Sequence, residues 1–265
     1  MASPSLKRII FLSDLHLGGF SEYKNRQLST IFFDVLDYLE RESIQLVILG
    51  DLLDYYMQYK SGVPNFAVPI LNRLRRFNQA SSEKTIYITG NHDNWDGGYL
   101  TEIGCITEHE YRILNIDGKQ ILLAHGDGLK DETLHFKRPL FHRLLRNPYF
   151  ISVFKSLTTR ESGNRIMKTF SRFNRLLSTD NYRKPNRIDD WALRVLESTE
   201  VDTVLCGHHH QLLTSESMHG RYINTGAFYK QYCCAFYTNS QFQIVRWDVD
   251  KKKFNVIPQK ELTII

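Results

Sequence analysis

Five times along this chain a short apolar run stops abruptly at a carboxylate, an amide or an imidazole. RIIFLS precedes Asp14, LVILG precedes Asp51, TIYITG precedes Asn91, ILLA precedes His125 and TVLCG precedes His208. Runs of four to six residues rich in Ile, Val and Leu, ending in a small residue, predict buried strands. Between the early runs, QLSTIFFDVLDYLE spaces Leu28, Ile31, Phe32, Val35, Leu36 and Leu39 along one helical face. FAVPILNRLRRF does so less regularly around Pro69. Alternating strands and helices imply an α/β domain whose functional loops gather along one sheet edge. After His208, RYINTG, CCAFYT, QFQIVRWDV and KFNVI predict a meander-like run of strands. Two packed sheets with helices outside accommodate both halves.

The residues delivered by those strands are a chemical set. Asp14 and His16 stand in SDLHLGG, Asp51 in GDLLD, Asn91, His92 and Asp93 in GNHD, His125 in HGD, and His208 and His210 in GHHH. They are oxygen and nitrogen donors without a thiolate, which suits manganese, iron or zinc in a catalytic site better than structural zinc. Seven ligands (Asp14, His16, Asp51, Asn91, His125, His208 and His210) exceed the need of one ion, so two divalent ions are expected. Two neighbouring cations need a shared carboxylate, for which Asp51 is the natural candidate. Such a pair activates water and offsets the charge of an in-line displacement at phosphorus. In the run His208-His209-His210, an extended backbone would turn His208 and His210 to one side and His209 to the other. The remaining histidines, His109, His135, His142, His209 and His219, have no partner motif and are expected at the surface or in packing roles.

Composition enters through its distribution. The 265 residues carry a net charge of +5, but residues 137–187 alone hold 13 Lys or Arg against Glu161 and Asp180. That concentration points to an anionic partner. Within it, RIMKTFSRFNRLL places Ile166, Phe170, Phe173 and Leu177 opposite Arg165, Lys168, Arg172 and Arg175. The segment 130–187 therefore predicts amphipathic helices inserted between the fourth and fifth functional strands of a single domain spanning 1–265. Four cysteines without a CxxC pair predict neither a disulfide framework nor a thiolate zinc knot. MASPSLKRIIFLSDL offers only a four-residue apolar run, too short for a signal core or a span. A cytosolic protein touching at most a membrane surface is expected.

In this order, D-x-H, GD, GNHD, H-G-D and GH-x-H resemble the calcineurin-like metallophosphoesterases. The resemblance implies a four-layer αββα sandwich. It also implies Asp14, His16, Asp51 and His210 on one metal, with Asp51, Asn91, His125 and His208 on the other. His92 would contact the phosphate or protonate the leaving group, with Asp93 orienting it. GDLLDYYMQYKSGVP, GNHDNWDGGYL, HGDGL and LLRNPYFISVFKSL look like the UDP-2,3-diacylglucosamine hydrolases of the bacterial lipid A pathway. Some of those carry Arg where this chain has His92. That resemblance implies a helical cap and an amphiphilic nucleotide-sugar lipid as substrate, with Lys137 and Arg138 as candidate contacts. The basic cap would also meet an anionic membrane surface. A second reading keeps the chemistry but acts on nucleotides, phosphoproteins or nucleic acid, which steep salt dependence would mark. A third, a non-catalytic module, expects missing ligands, and none is missing.

Overall fold

The structure, a computed structural model, describes residues 7–177, 187–258 and 263–264, with side chains described except at 170–177 and 263–264. β1 (Ile9–Leu12), β2 (Gln45–Ile48), β3 (Ile86–Ile88) and β4 (Ile106–Glu108) are parallel neighbours. They are joined by α1 (Glu22–Arg41), α2 (Val68–Ala80) and the short α3 (Tyr99–Glu102). β5 (Tyr111–Ile116) and β6 (Lys119–Ala124) form a hairpin that belongs to a second sheet. Four helices follow: α4 (Leu140–Leu145), α5 (Pro148–Leu157), α6 (Arg160–Leu177) and α7 (Arg187–Ser198). The chain then forms β7 (Thr203–Cys206), β8 (Leu212–Ser217), β9 (Gly220–Thr225), α8 (Phe228–Gln231), β10 (Cys233–Thr238), β11 (Gln241–Asp248), β12 (Lys253–Val256) and β13 (Thr263–Ile264).

The sheets have the orders β12-β11-β10-β1-β2-β3-β4 and β13-β8-β9-β7-β6-β5. In the first, Ile10 pairs with Leu46 on its parallel side and with Phe236 on its antiparallel side. In the second, Leu122 pairs with Val204 in parallel. The central strands are apolar on both faces because both faces are covered. Ile9 and Phe11 meet Ile121, Leu123, Leu205 and Ile223 between the sheets, while Ile10 and Leu12 turn outward onto Leu28, Phe32 and Leu71 of α1 and α2. On the far side, Leu122, Val204 and Cys206 pack under Trp191, Ala192 and Val195 of α7. The layers are thus helix, sheet, sheet, helix, the sandwich that the sequence predicts.

Helix α1 matches its pattern closely. Ser21 caps it by accepting from the Lys24 amide, and all six apolar residues of the stripe are buried. Pro69 does not interrupt α2 but sits in its first turn, where a missing amide proton leaves no bond unmade. The tail departs from a single meander: β10, β11 and β12 are successive antiparallel neighbours, but RYINTG is β9 of the other sheet. Within the stretch read as an insertion lie α4, α5 and α6, while α7 packs in the outer layer. Its stretch 178–186 lies outside the described residues, as do the side chains of Phe170, Arg172, Phe173, Arg175 and Leu177. Gly163 on α6 is required by approach, because a Cβ there would run into the Tyr59 hydroxyl.

Candidate metal centre

The carboxyl ends of β1, β2 and β3 meet those of β6 and β7, and all seven expected ligands converge there. Asp14 Oδ1 lies 3.1 Å from His210 Nε2 and 3.6 Å from His16 Nε2, and the two imidazole nitrogens are 3.2 Å apart. Beside this group, His125 Nε2 lies 3.3 Å from Asp51 Oδ2, 3.2 Å from His208 Nδ1 and 3.1 Å from Asn91 Oδ1. Asp51 Oδ2 also faces His16 Nε2 at 3.8 Å, so one carboxylate oxygen addresses both groups. Donor atoms sharing one ion at bond lengths of ~2.1 Å stand ~3.0–3.4 Å apart, the spacing found except at His16, whose Nε2 is 3.6 Å from Asp14 and 3.8 Å from Asp51. The residues present fit a pair of divalent cations.

Local backbone makes this convergence possible. Asp14, His16, Asp51, His208 and His210 all have φ between 49° and 67°. That left-handed conformation costs a non-glycine residue about 1–2 kcal/mol. Strain of this kind gathers at functional sites, where the surrounding structure holds it in place. It also corrects the reading of the triple histidine. The backbone at His208 and His210 is not extended, and the two rings go to different groups, His208 to Asp51 and His125, His210 to Asp14 and His16. Gly90 is dictated by the site too, since a Cβ there would collide with the Asp51 carboxylate.

Further contacts orient the ligands. His125 Nδ1 is 2.8 Å from the Leu49 carbonyl, and His16 Nδ1 is 3.3 Å from Asp54 Oδ1, which leaves each Nε2 to face the cluster. Asp54 is 2.8 Å from His92 Nδ1 as well. It therefore stands where the resemblance would have Asp93. Asp93 instead accepts from the amides of Gly90 and Leu52 and from the Tyr87 hydroxyl, pinning together the loops that carry Asn91 and Asp51. The second aspartate of GDLLD, three residues after Asp51, was the only sequence signal for Asp54.

Charge inside this pocket is tightly balanced. Burial opposes a charge on His16, but contacts with Asp14 and Asp54 and the field of Asp51 outweigh it and raise its pKa to about 10. His125 is also raised to about 10, with burial overcome chiefly by Asp51. Asp14 is held well below the usual carboxylate range, burial being offset first by His210 and then by His16. His208 has no such support: burial, then the nearby His125, push it down to about 3. Burial and the Asp51 charge raise Asp93 to about 6. Buried carboxylates at this density require positive charge, from imidazolium or from a divalent cation.

Two further residues anchor the inserted helices beside the cluster. Arg146 holds buried Asp127 through Nε and Nη2 at 3.1 and 3.2 Å and also donates to the carbonyls of His109 and Thr89. Arg138 is buried between Glu110, Asp127 and the Gly128 carbonyl. Its guanidinium is committed to the protein, which corrects its expected role as a substrate contact. Lys137 is exposed, and its carbonyl accepts from Arg187. Arg146→Ala leaves Asp127 with one fewer cation and is expected to cost about 2–4 kcal/mol. That corresponds to a fall in Tm of roughly 5–15 °C by calorimetry; an unchanged Tm would show the pair to be idle.

The chain is similar to a UDP-2,3-diacylglucosamine hydrolase of Porphyromonas gingivalis, 27% identical over 228 residues that cover 78% of this chain and 84% of the relative. It is likewise 29% identical over 209 residues to a UDP-2,3-diacylglucosamine hydrolase of Pseudomonas putida strain KT2440, covering 77% and 82%. A solved phosphoesterase from E. coli, YfcE, overlays with a TM-score of 0.47 at 13% identity, covering 94% of this chain and 98% of that one. The calcineurin-like phosphoesterase profile matches residues 7–212, a span running from the first strand past His210. With ligand-bearing loops from both sheets inside that span, the chain belongs to the calcineurin-like phosphoesterases.

Proposed function

We propose that this phosphoesterase hydrolyses UDP-2,3-diacylglucosamine at its α-phosphorus, giving UMP and 2,3-diacylglucosamine 1-phosphate. Asp14, His16, Asp51 and His210 would hold one divalent ion, and Asp51, Asn91, His125 and His208 the other, with manganese, iron and zinc all compatible with the donors. Bound there, the ions supply Lewis acidity toward phosphoryl oxygens and toward water. His92 lies at the edge of the cluster with its Nδ1 toward Asp54, and meets the phosphoryl group or the departing oxygen. Among the described residues, a third potential ligand group joins His16, Asp51 and His92, and this proximity of His92 to Asp51 supports the role given to it.

The observation that carries the substrate is an aromatic cluster leading away from His92. Tyr55 sits 4.3 Å from the His92 ring, and Tyr55, Met57, Tyr59, Trp95, Leu145 and Met167 form a core of their own with Phe150 and Phe154 of α5. We take 130–187 as a lid whose aromatic underside receives acyl chains. Each methylene buried is worth about 0.8 kcal/mol. The outer surface of α4 and α5 exposes Leu140, Tyr149, Val153 and Leu157. With the surrounding Lys and Arg excess, this surface suits an anionic membrane from which such a lipid would be drawn. Among the described residues no helix is long and apolar enough to cross a membrane.

A manganese-supplemented assay comparing UDP-2,3-diacylglucosamine with UDP-N-acetylglucosamine, cyclic nucleotides and single-stranded DNA tests this. The diacylated compound should release UMP with a kcat/KM at least about 100-fold above the unacylated sugar. Equal turnover of the two sugars refutes the acyl-binding lid, and preference for DNA moves the substrate to nucleic acid.

A further inference from the structure

Helix α4 buries only Leu145 of its four large apolar residues. Leu140 is 80% exposed, and Phe141 and Leu144 are exposed too, while His142, the polar residue between them, turns inward with only 20% of its side chain accessible. Burial energetics alone would choose the opposite. The inward imidazole packs edge-on against His208, with ring centroids 5.9 Å apart at 87°. Its Nδ1 is 4.0 Å from Asp127 Oδ2 and fully buried, without a side-chain hydrogen bond of acceptable geometry. With Nδ1 closed off in this way, Nε2 is the ring nitrogen left to meet a ligand.

The position of this ring is fixed from both ends of the helix. Arg138 before α4 and Arg146 after it both engage Asp127, two residues from His125. Arg146 reaches on to Thr89 at the end of β3, and the Leu145 carbonyl accepts from Trp95 Nε1 at 2.6 Å. The inserted helices are thus registered to the strand ends that carry Asn91 and His125, and His142 moves only if that registration is broken. A group so held satisfies the main structural demand on a residue that stabilises charge during reaction.

We propose that His142 is a catalytic residue that donates an Nε2–H hydrogen bond to a non-bridging phosphoryl oxygen of the substrate. This rests on the reading that the Asp14 and Asp51 groups bind the phosphoryl group. The residue lies on an inserted helix, not at a strand end, so phosphoryl recognition requires the lid to be docked. No bond is made or broken by His142, and its contribution is a directed donor whose interaction strengthens as negative charge accumulates on that oxygen.

The test compares wild type, His142→Ala and His142→Gln in excess manganese on two compounds with disubstituted phosphoryl groups, the diphosphate UDP-2,3-diacylglucosamine and the diester bis(p-nitrophenyl) phosphate. Bound metal and Tm are measured on each protein. His142→Ala should lower kcat and kcat/KM together by about 100-fold on either compound that wild type cleaves, with metal content and Tm unchanged. The Gln variant, which retains an amide donor, should recover about tenfold. Unchanged kcat in the Ala variant overturns the proposal. So does loss of an ion, which would make His142 a ligand, or a Gln variant no better than Ala, which would make it packing. If wild type cleaves only the nitrophenyl diester, the lipid substrate fails while the role of His142 is still decided on that compound. If wild type cleaves neither, hydrolysis at a disubstituted phosphoryl group fails as a reading, and this one with it.

Discussion

Asp51→Asn should leave a folded protein that has lost turnover by at least about 10⁴-fold, roughly 5.4 kcal/mol of transition-state stabilisation, and that no longer retains two ions per chain. The argument is geometric. Oδ2 of this residue faces both His125 and His16, while Oδ1 accepts from the His92 amide at 2.9 Å. Asn keeps that second bond, keeps the shape and tolerates the positive φ of 55° better than other residues. What it removes is the charge that, on the proposed assignment, would neutralise two cations at once. The checks are kcat/KM on any diester that wild type cleaves and metal analysis after gel filtration. Turnover within tenfold of wild type with both ions present would sink the bridging assignment.

His92→Ala should lower kcat/KM by about 10³-fold, within the range for loss of a positioned proton donor or phosphoryl contact. Metal content should not change. Asp54→Asn should reproduce part of this loss, because Asp54 holds the Nδ1 side of His92 and of His16 together. Asp93→Asn should act through stability instead, since its partners are the Gly90 and Leu52 amides and the Tyr87 hydroxyl. Turnover and denaturation curves on the three variants separate these outcomes. If His92→Ala loses an ion, His92 is a ligand, as its proximity to His16 and Asp51 would permit. If it retains activity within tenfold, the residue is only packing against Tyr55.

Much of the site was legible without coordinates because its elements are local. A buried strand announces itself by an apolar run, and a polar residue immediately beyond it must emerge at the sheet edge. That reasoning reached Asp14, Asp51, Asn91, His125 and His208 one by one. The stripe from Leu28 to Leu39 likewise specified α1, since a period of 3.6 residues needs no partner to be read. The basic excess between 137 and 187 marked the inserted helices. Which of them face the site, and with which side chains, was not encoded at that scale.

What the sequence by itself determined, then, is the donor-bearing strands and most of the carboxyl-terminal ones, their layered packing and the identity of the donors they deliver, while β4, β5, β8 and β13 carry no such signal. Tertiary structure decided which donors meet: Asp54, not Asp93, beside His92; Asp127 as the anchor for Arg138 and Arg146; and His142 turned in on a helix that leaves Leu140, Phe141 and Leu144 exposed. The physical reason is direction. Left-handed residues at the strand ends re-aim Cβ vectors in ways no periodicity records, and a buried carboxylate takes whichever cation or imidazole the packing of distant segments brings within reach.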